Sequence, residues 1–223
     1  MNWISEKINN NLAKVFLIAL LGFLSIQNAA AANVGKIIAK IQKKYQQART
    51  VSLTFTEVNH FSLTKTTTEA KGHLIFKGQE KFRLETDDQV LVSDSKTFWR
   101  FNKIENQVLI DKAKKSDQDV LLNQFLHNIN DHYFSQLLKE TKTRKGKIYE
   151  IKLTPKPDEQ SPFTAIKIWV RDKSWEIFKV IYVDYNDNET EYIIDNMKLN
   201  LPVKDSEFTF AIPESTEVVD LRF

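Results

Sequence analysis

The chain has 223 residues, 42% hydrophobic and 27% charged, which supplies enough apolar material for a sizeable core and is too mixed for a disordered tail. A net charge of +3 is too small to give the strongly basic face that nucleic-acid binding needs. The absence of cysteine excludes a disulfide scaffold, a thiolate zinc site, a catalytic thiol and a lipid anchor attached through cysteine.

At the N-terminus Lys7 and Lys14 precede the apolar run from Val15 to Ile26, and Ala29 to Ala32 follow it. That order is the order of a secretory signal peptide, and the run is shorter than the roughly 20 residues a spanning helix needs. Cleavage is expected after Ala30 or Ala32, so that residues 1–32 are removed and 33–223 form a single exported domain.

Val34, Ile37, Ile38, Ile41, Tyr45 and Ala48 fall on one helical stripe, with lysines elsewhere around the helix. After Arg49 the period changes to two: Val51, Leu53 and Phe55 alternate with Ser52, Thr54 and Thr56, as in a half-buried strand. Short strands are expected at 71–77, 81–86, 89–94, 97–102 and 105–110, separated by breakers, which suggests an antiparallel meander. Ser116-Asp117-Gln118-Asp119 resembles a helix-capping box before Leu121, Leu122 and Phe125, which share a helix face, and Ile129 continues the apolar pattern. A second short helix is expected to carry Tyr133, Phe134, Leu137 and Leu138. Strands resume at 147–154, 163–171, 175–185 and 190–199, and a last one is expected at Phe208-Thr209-Phe210. In the later strands both alternating faces are apolar, Ile166, Ile168 and Val170 opposing Phe163, Ala165 and Trp169, so each face needs a cover.

Chemistry-bearing motifs are missing: there is no nucleophile elbow, zinc-protease helix, P-loop or dinucleotide fingerprint. His127 and His132 are five apart, which suits one helix face poorly, and the acidic pairs sit at turns and caps. No catalytic residue, metal or cofactor is expected.

Lys81-Phe82-Arg83-Leu84, then Val90 to Asn102 with its Ser93-Asp94-Ser95-Lys96-Thr97-Phe98-Trp99 core, then Asn106-Gln107-Val108, form an ordered series. Together with Val51 to Phe55 and the end Phe208 to Pro213 with Val218-Val219-Asp220, the series resembles the LolA family of lipoprotein carriers. The resemblance implies an α+β fold: an incomplete, open antiparallel β-barrel whose short helices form a lid over an apolar concave face. It implies a monomeric periplasmic carrier of triacylated lipoproteins, loaded by an inner-membrane ABC transporter and unloaded at an outer-membrane receptor such as LolB. Period-two alternation and the resemblance together place Phe55, Leu74, Phe76, Phe82, Leu84, Val92 and Trp99 in the lipid-binding lining, with Leu121, Leu122 and Phe125 on the lid. Two positions depart from the family. Ser95 stands where glycine is usual, and Gly78 stands where many members carry an arginine that latches the lid, with Lys77 and Arg83 as its nearby substitutes. The second departure keeps open a carrier of another lipid or glycolipid; a stress-sensor module of related fold and a secreted enzyme are the remaining alternatives.

Overall fold

The alternation that begins after Arg49 builds a sheet that occupies most of the chain. A computed structural model describes residues 33–78, 80–113, 129–159 and 161–222. The signal-type segment 1–32 and the capped helix with Leu121, Leu122 and Phe125 lie outside the described residues.

Helix α1 covers residues 33–46, and a helical stretch at 129–132 leads into the second half of the sheet. The strands are β1 (Thr50–Phe61), β2 (Thr66–Lys77), β3 (Lys81–Thr86), β4 (Gln89–Asp94), β5 (Thr97–Asn102) and β6 (Gln107–Lys112), then β7 (Tyr133–Thr143), β8 (Gly146–Pro155), β9 (Phe163–Arg171), β10 (Glu176–Asp184), β11 (Glu189–Leu199) and β12 (Glu217–Asp220). They form one open sheet in the order β12-β6-β5-β4-β3-β2-β1-β11-β10-β9-β8-β7. Neighbours are antiparallel except β12, which runs parallel to β6 with Val218 opposite Val108. Two meanders, β2 to β6 and β7 to β11, are therefore joined through β1, whose partners are β2 on one side and β11 on the other.

Directly opposed residues share a face, so the register divides the apolar side chains into two sets. The inner face holds the row Leu53, Leu74, Leu84 and Leu91 and the row Val51, Phe76 and Phe82. It continues through Ile166, Ile168 and Val170 to Ile151, Leu153 and Tyr149. Helix α1 lays Val34, Ile37, Ile38, Ile41 and Tyr45 on this face, and all of them join the core. The outer face is covered over β3 and β4 by a single 3-10 turn (Asp205–Phe208) that inserts Phe208, fully buried, beside the sheet.

Three expectations need correction. Tyr133, Phe134, Leu137 and Leu138 lie on strand β7, not on a helix: the segment pairs along its length with β8, from Tyr133–Pro155 to Thr143–Gly146, and its Thr-rich end favours a pleated surface. Phe208-Thr209-Phe210 is not a strand; Phe208 ends the 3-10 turn, and the final strand is Glu217–Asp220. Phe163 does not oppose Ile166, Ile168 and Val170: a register shift between Val183 and Asp184 sets it opposite Asp184, and its ring packs on Tyr182 of the inner face; a second shift, between Ile177 and Lys179, forms a bulge in β10 that brings Ile177 to that face too.

Candidate apolar binding face

The inner face is built from strands whose inward positions are almost all aliphatic or aromatic. At one end Phe76 and Phe82 have ring centroids 6.3 Å apart, and Phe82 and Phe98 5.9 Å. At the other, Phe55, Tyr192, Tyr182 and Phe163 form a row across β1, β11, β10 and β9, with successive centroids 5.5, 5.9 and 4.6 Å apart. Polar tips are sparse and satisfied locally: Asn59 Nδ2 donates to Glu57 Oε1 at 2.8 Å, and Thr190 Oγ1 donates to Asn59 Oδ1 at 2.8 Å. Burial pushes the Tyr182 and Tyr192 hydroxyls well up, and the Glu57 carboxylate adds to the effect at Tyr192.

Helix α1 is fastened to this face by its last turn. The bulge in β10 directs the Ile177 N–H at Tyr45 Oη, 3.0 Å away, and the same hydroxyl donates to Met197 Sδ at 3.4 Å. Burial raises the Tyr45 hydroxyl, which stays protonated and can serve both neighbours. Lys40 Nζ sits 4.4 Å from the centroid of the Trp175 ring, and Lys44 Nζ donates to the Ser174 carbonyl at 2.9 Å.

Of the residues that the sequence singles out, Phe55, Leu74, Phe76, Phe82 and Leu84 come together on the inner face, where they pack with α1. Val92 and Trp99 do not join them. They oppose each other on the outer face, where the register also aligns Val90 with Phe101 and Trp99 with Ile110. The inward positions of β4 and β5 are Leu91 and Phe98. The run Val90-Leu91-Val92 is buried throughout, so alternation could not tell its two sides apart. Leu121, Leu122 and Phe125 lie outside the described residues.

The latch position is also resolved. Gly78 has φ +64, and its N–H closes the β2 end against the Arg49 carbonyl at 3.0 Å. Lys77 points to the outer face, where it donates to the Val203 carbonyl at 2.9 Å and to Asp205 Oδ1 at 2.6 Å. Arg83 pairs with Glu85 on that same face. Both side chains therefore point away from the face on which α1 packs.

An open cleft of about 650 Å³ lies where β3 ends, lined among others by Phe55, Lys71, Gly72, Glu85, Thr86 and Lys103. Phe55 lies over Gly72 so closely that a Cβ there would come within 2.2 Å of its ring. The cleft walls mix polar and apolar groups and include Thr54, Thr56, His73 and Asp195, so this is not an apolar cavity.

Comparison with known proteins gives one family, described as outer membrane lipoprotein carrier protein LolA, whose pattern matches residues 46–211. An uncharacterized protein of Methanocaldococcus jannaschii is 25% identical over 195 residues, covering 84% of this chain and 54% of its own. The chain thus spans about half the length of that relative. An outer-membrane lipoprotein carrier protein of Azotobacter vinelandii is 23% identical over 212 residues, 92% of this chain and 99% of its own. Among solved structures, an uncharacterized conserved protein from Thermus thermophilus superposes with a TM-score of 0.55 at 12% identity, covering 84% of this chain and 99% of its own.

Proposed function

Because the chain belongs to the LolA family of outer-membrane lipoprotein carriers, whose pattern spans residues 46–211, we propose that it is a periplasmic carrier that shields the acyl chains of lipoproteins during transfer between two membranes. The observation that carries this reading is the inner face: a sheet lined by Leu53, Phe55, Leu74, Phe76, Phe82, Leu84 and Leu91, with α1 resting on it. Each methylene removed from water stabilises a complex by about 0.8 kcal/mol, so acyl chains need such a surface and cannot cross water without it. Release is possible because the face has an occupant of its own. When acyl chains leave, α1 recovers the burial that cargo displaced. The segment 1–32 serves as the export signal. An inner-membrane transporter loads the carrier, and an outer-membrane receptor of the LolB type unloads it.

A second reading, a carrier of another lipid or glycolipid, is favoured by Gly78, which occupies a turn and offers no side chain to latch a lid. Mass spectrometry of the protein purified from periplasm distinguishes the two. Triacylated lipoprotein bound to the carrier is the expected result. Free lipid or glycolipid would transfer the assignment to the second reading, and an empty carrier under conditions of active lipoprotein export would overturn both.

A further inference from the structure

A net charge of +3 averages over two unlike ends of the molecule. Strand direction alternates from β1 through β11, β10, β9 and β8 to β7. The start of β1, the β9–β10 turn and the β7–β8 turn therefore share one end, and three segments bring cations to it. Helix α1, which leads into β1, carries Lys36, Lys40, Lys43 and Lys44 and no acidic residue. The β7–β8 hairpin from Lys139 to Lys147 adds Lys142, Arg144 and Lys145 between them, against a single acid, Glu140. The β9–β10 turn adds Lys173. Contacts join the three segments. Lys44 Nζ donates to the Ser174 carbonyl at 2.9 Å, Trp175 stacks on Tyr149 with centroids 6.2 Å apart, and the Asp172 N–H donates to the Lys147 carbonyl at 2.8 Å.

The acids at this end are engaged. Glu140 pairs with Lys147 at 2.7 Å, Glu176 with Arg171 at 3.1 Å, and Asp172 Oδ1 accepts the Lys173 N–H at 2.9 Å. The side chains of Lys142, Arg144, Lys145 and Lys173 are exposed and have no hydrogen-bond or ion-pair partner among the described residues. The turns at the opposite end are acidic: Asp87-Asp88 after β3, Glu105 after β5, Asp158-Glu159 after β8, and Asp184 and Asp187 at the β10–β11 turn. Lys65, Lys103 and Lys156 offset them only in part.

We infer that the basic end is a contact surface for an anionic phospholipid bilayer. Two features favour a bilayer over an acidic protein. All of these cations except Arg144 are lysines, hydrated point charges that are depleted at protein interfaces and abundant in segments that adhere to anionic membranes. Residues 139–147 also contain no large apolar side chain to anchor a protein interface, whereas attraction to a charged sheet needs no anchor. The acidic turns orient the approach, because an anionic surface repels that end. This surface goes beyond the carrier reading and holds whichever lipid is carried.

The test is flotation of the protein recovered from the periplasm. One set of vesicles is phosphatidylcholine alone, and the other is equal parts phosphatidylcholine and phosphatidylglycerol. The protein should float with the anionic vesicles only, and rising salt should release it. Lys142→Ala with Lys145→Ala removes two side chains that hold nothing, so the melting temperature should stay unchanged. At roughly fivefold per cation near an anionic surface, that pair should weaken binding about twentyfold. Lys65→Ala with Lys71→Ala makes the same change in net charge away from this end and should leave binding as it was. Equal weakening by the two pairs would trace adhesion to net charge and overturn the basic end. Equal binding to both kinds of vesicle, or binding indifferent to salt, would overturn it as well. Binding to neither would overturn it and leave the carrier reading standing. Tighter binding to polyglutamate than to the anionic vesicles would give this end to an acidic polypeptide and overturn the proposal.

Discussion

Ser95 shows how a single position can carry strain. It is the first residue of the two-residue loop between β4 and β5 and has φ +83, a region that glycine enters freely and residues with a Cβ do not. The loop is held by Asp94 Oδ1, which accepts the N–H groups of Lys96 at 2.8 Å and Thr97 at 2.7 Å. Ser95→Gly is expected to stabilise the protein by about 0.5–1 kcal/mol, the relief of a left-handed Cβ less the added freedom of the unfolded chain. The midpoint of urea unfolding should rise with unchanged slope; a lower midpoint would contradict it. At this scale the sequence was legible where alternation was clean. Phe82 and Leu84 alternate with charged neighbours, and the structure puts both on the inner face. It was illegible at Val92 and Trp99, because Val90-Leu91-Val92 is buried on both sides and Trp99 follows the inward Phe98. No pattern within six residues decides that parity; the pairing to Leu84 does.

At the scale of elements, α1 and the C-terminal segment cover opposite faces by different means. Helix α1 is held by burial and by the Tyr45 hydroxyl, which accepts from Ile177 N–H. Tyr45→Phe keeps the ring and leaves that buried N–H unpaired, for an expected cost of about 1–3 kcal/mol. The loss should appear as a lower melting temperature together with faster amide exchange along α1; an unchanged melt would show that water replaces the hydroxyl. The C-terminal segment is held by Phe208 and by Asp205, which receives Lys77 at 2.6 Å and Lys81 at 3.1 Å. Hydrogen bonds from those lysines, with their charge, hold the Asp205 carboxyl below its ordinary value. A depressed carboxyl stabilises the folded state above its unfolded pKa, and that contribution disappears as pH falls through the lowered folded value. Proteolysis within 200–216 should therefore quicken below about pH 4 in the wild type. In Asp205→Asn it should already be fast at neutral pH and lose this acid-dependent step, and an acid-dependent step of equal size in that variant would refute the link. The stripe of α1 was readable from Val34 to Tyr45, whereas β7 was not. Leu137 and Leu138 suit a helix as well as a strand, and only their pairing with β8 across a bulge separates the two.

For the whole molecule, the strands of the two meanders other than β7 were visible as short runs between breakers, but the junction of the meanders was not. Nothing local to Thr50–Phe61 signals that its second partner is Glu189–Leu199. That junction makes β11 indispensable: without it β1 and β10 both become edges, and the inner face loses Tyr192 and Ile194 from its middle. A chain ended at residue 186 is expected to lose its cooperative melt while the full chain keeps one, as read by circular dichroism; a sharp transition in the shortened chain would show that the halves fold separately.

Strand β12 settles a further matter through its position. Strands β6 and β7 follow one another in the chain and stand at the two ends of the series that begins at β6 and ends at β7. Were they to meet, the series would close into a ring. The outer side of β6 is taken instead by Glu217–Asp220, and the Leu221 N–H extends that hold to the Ile110 carbonyl at 2.7 Å. The end of the described sheet beside β6 is thus occupied by β12, and the sheet stays open. A closed ring of strands can widen only by tearing a ladder of hydrogen bonds, whereas an open sheet can change its curvature without breaking one.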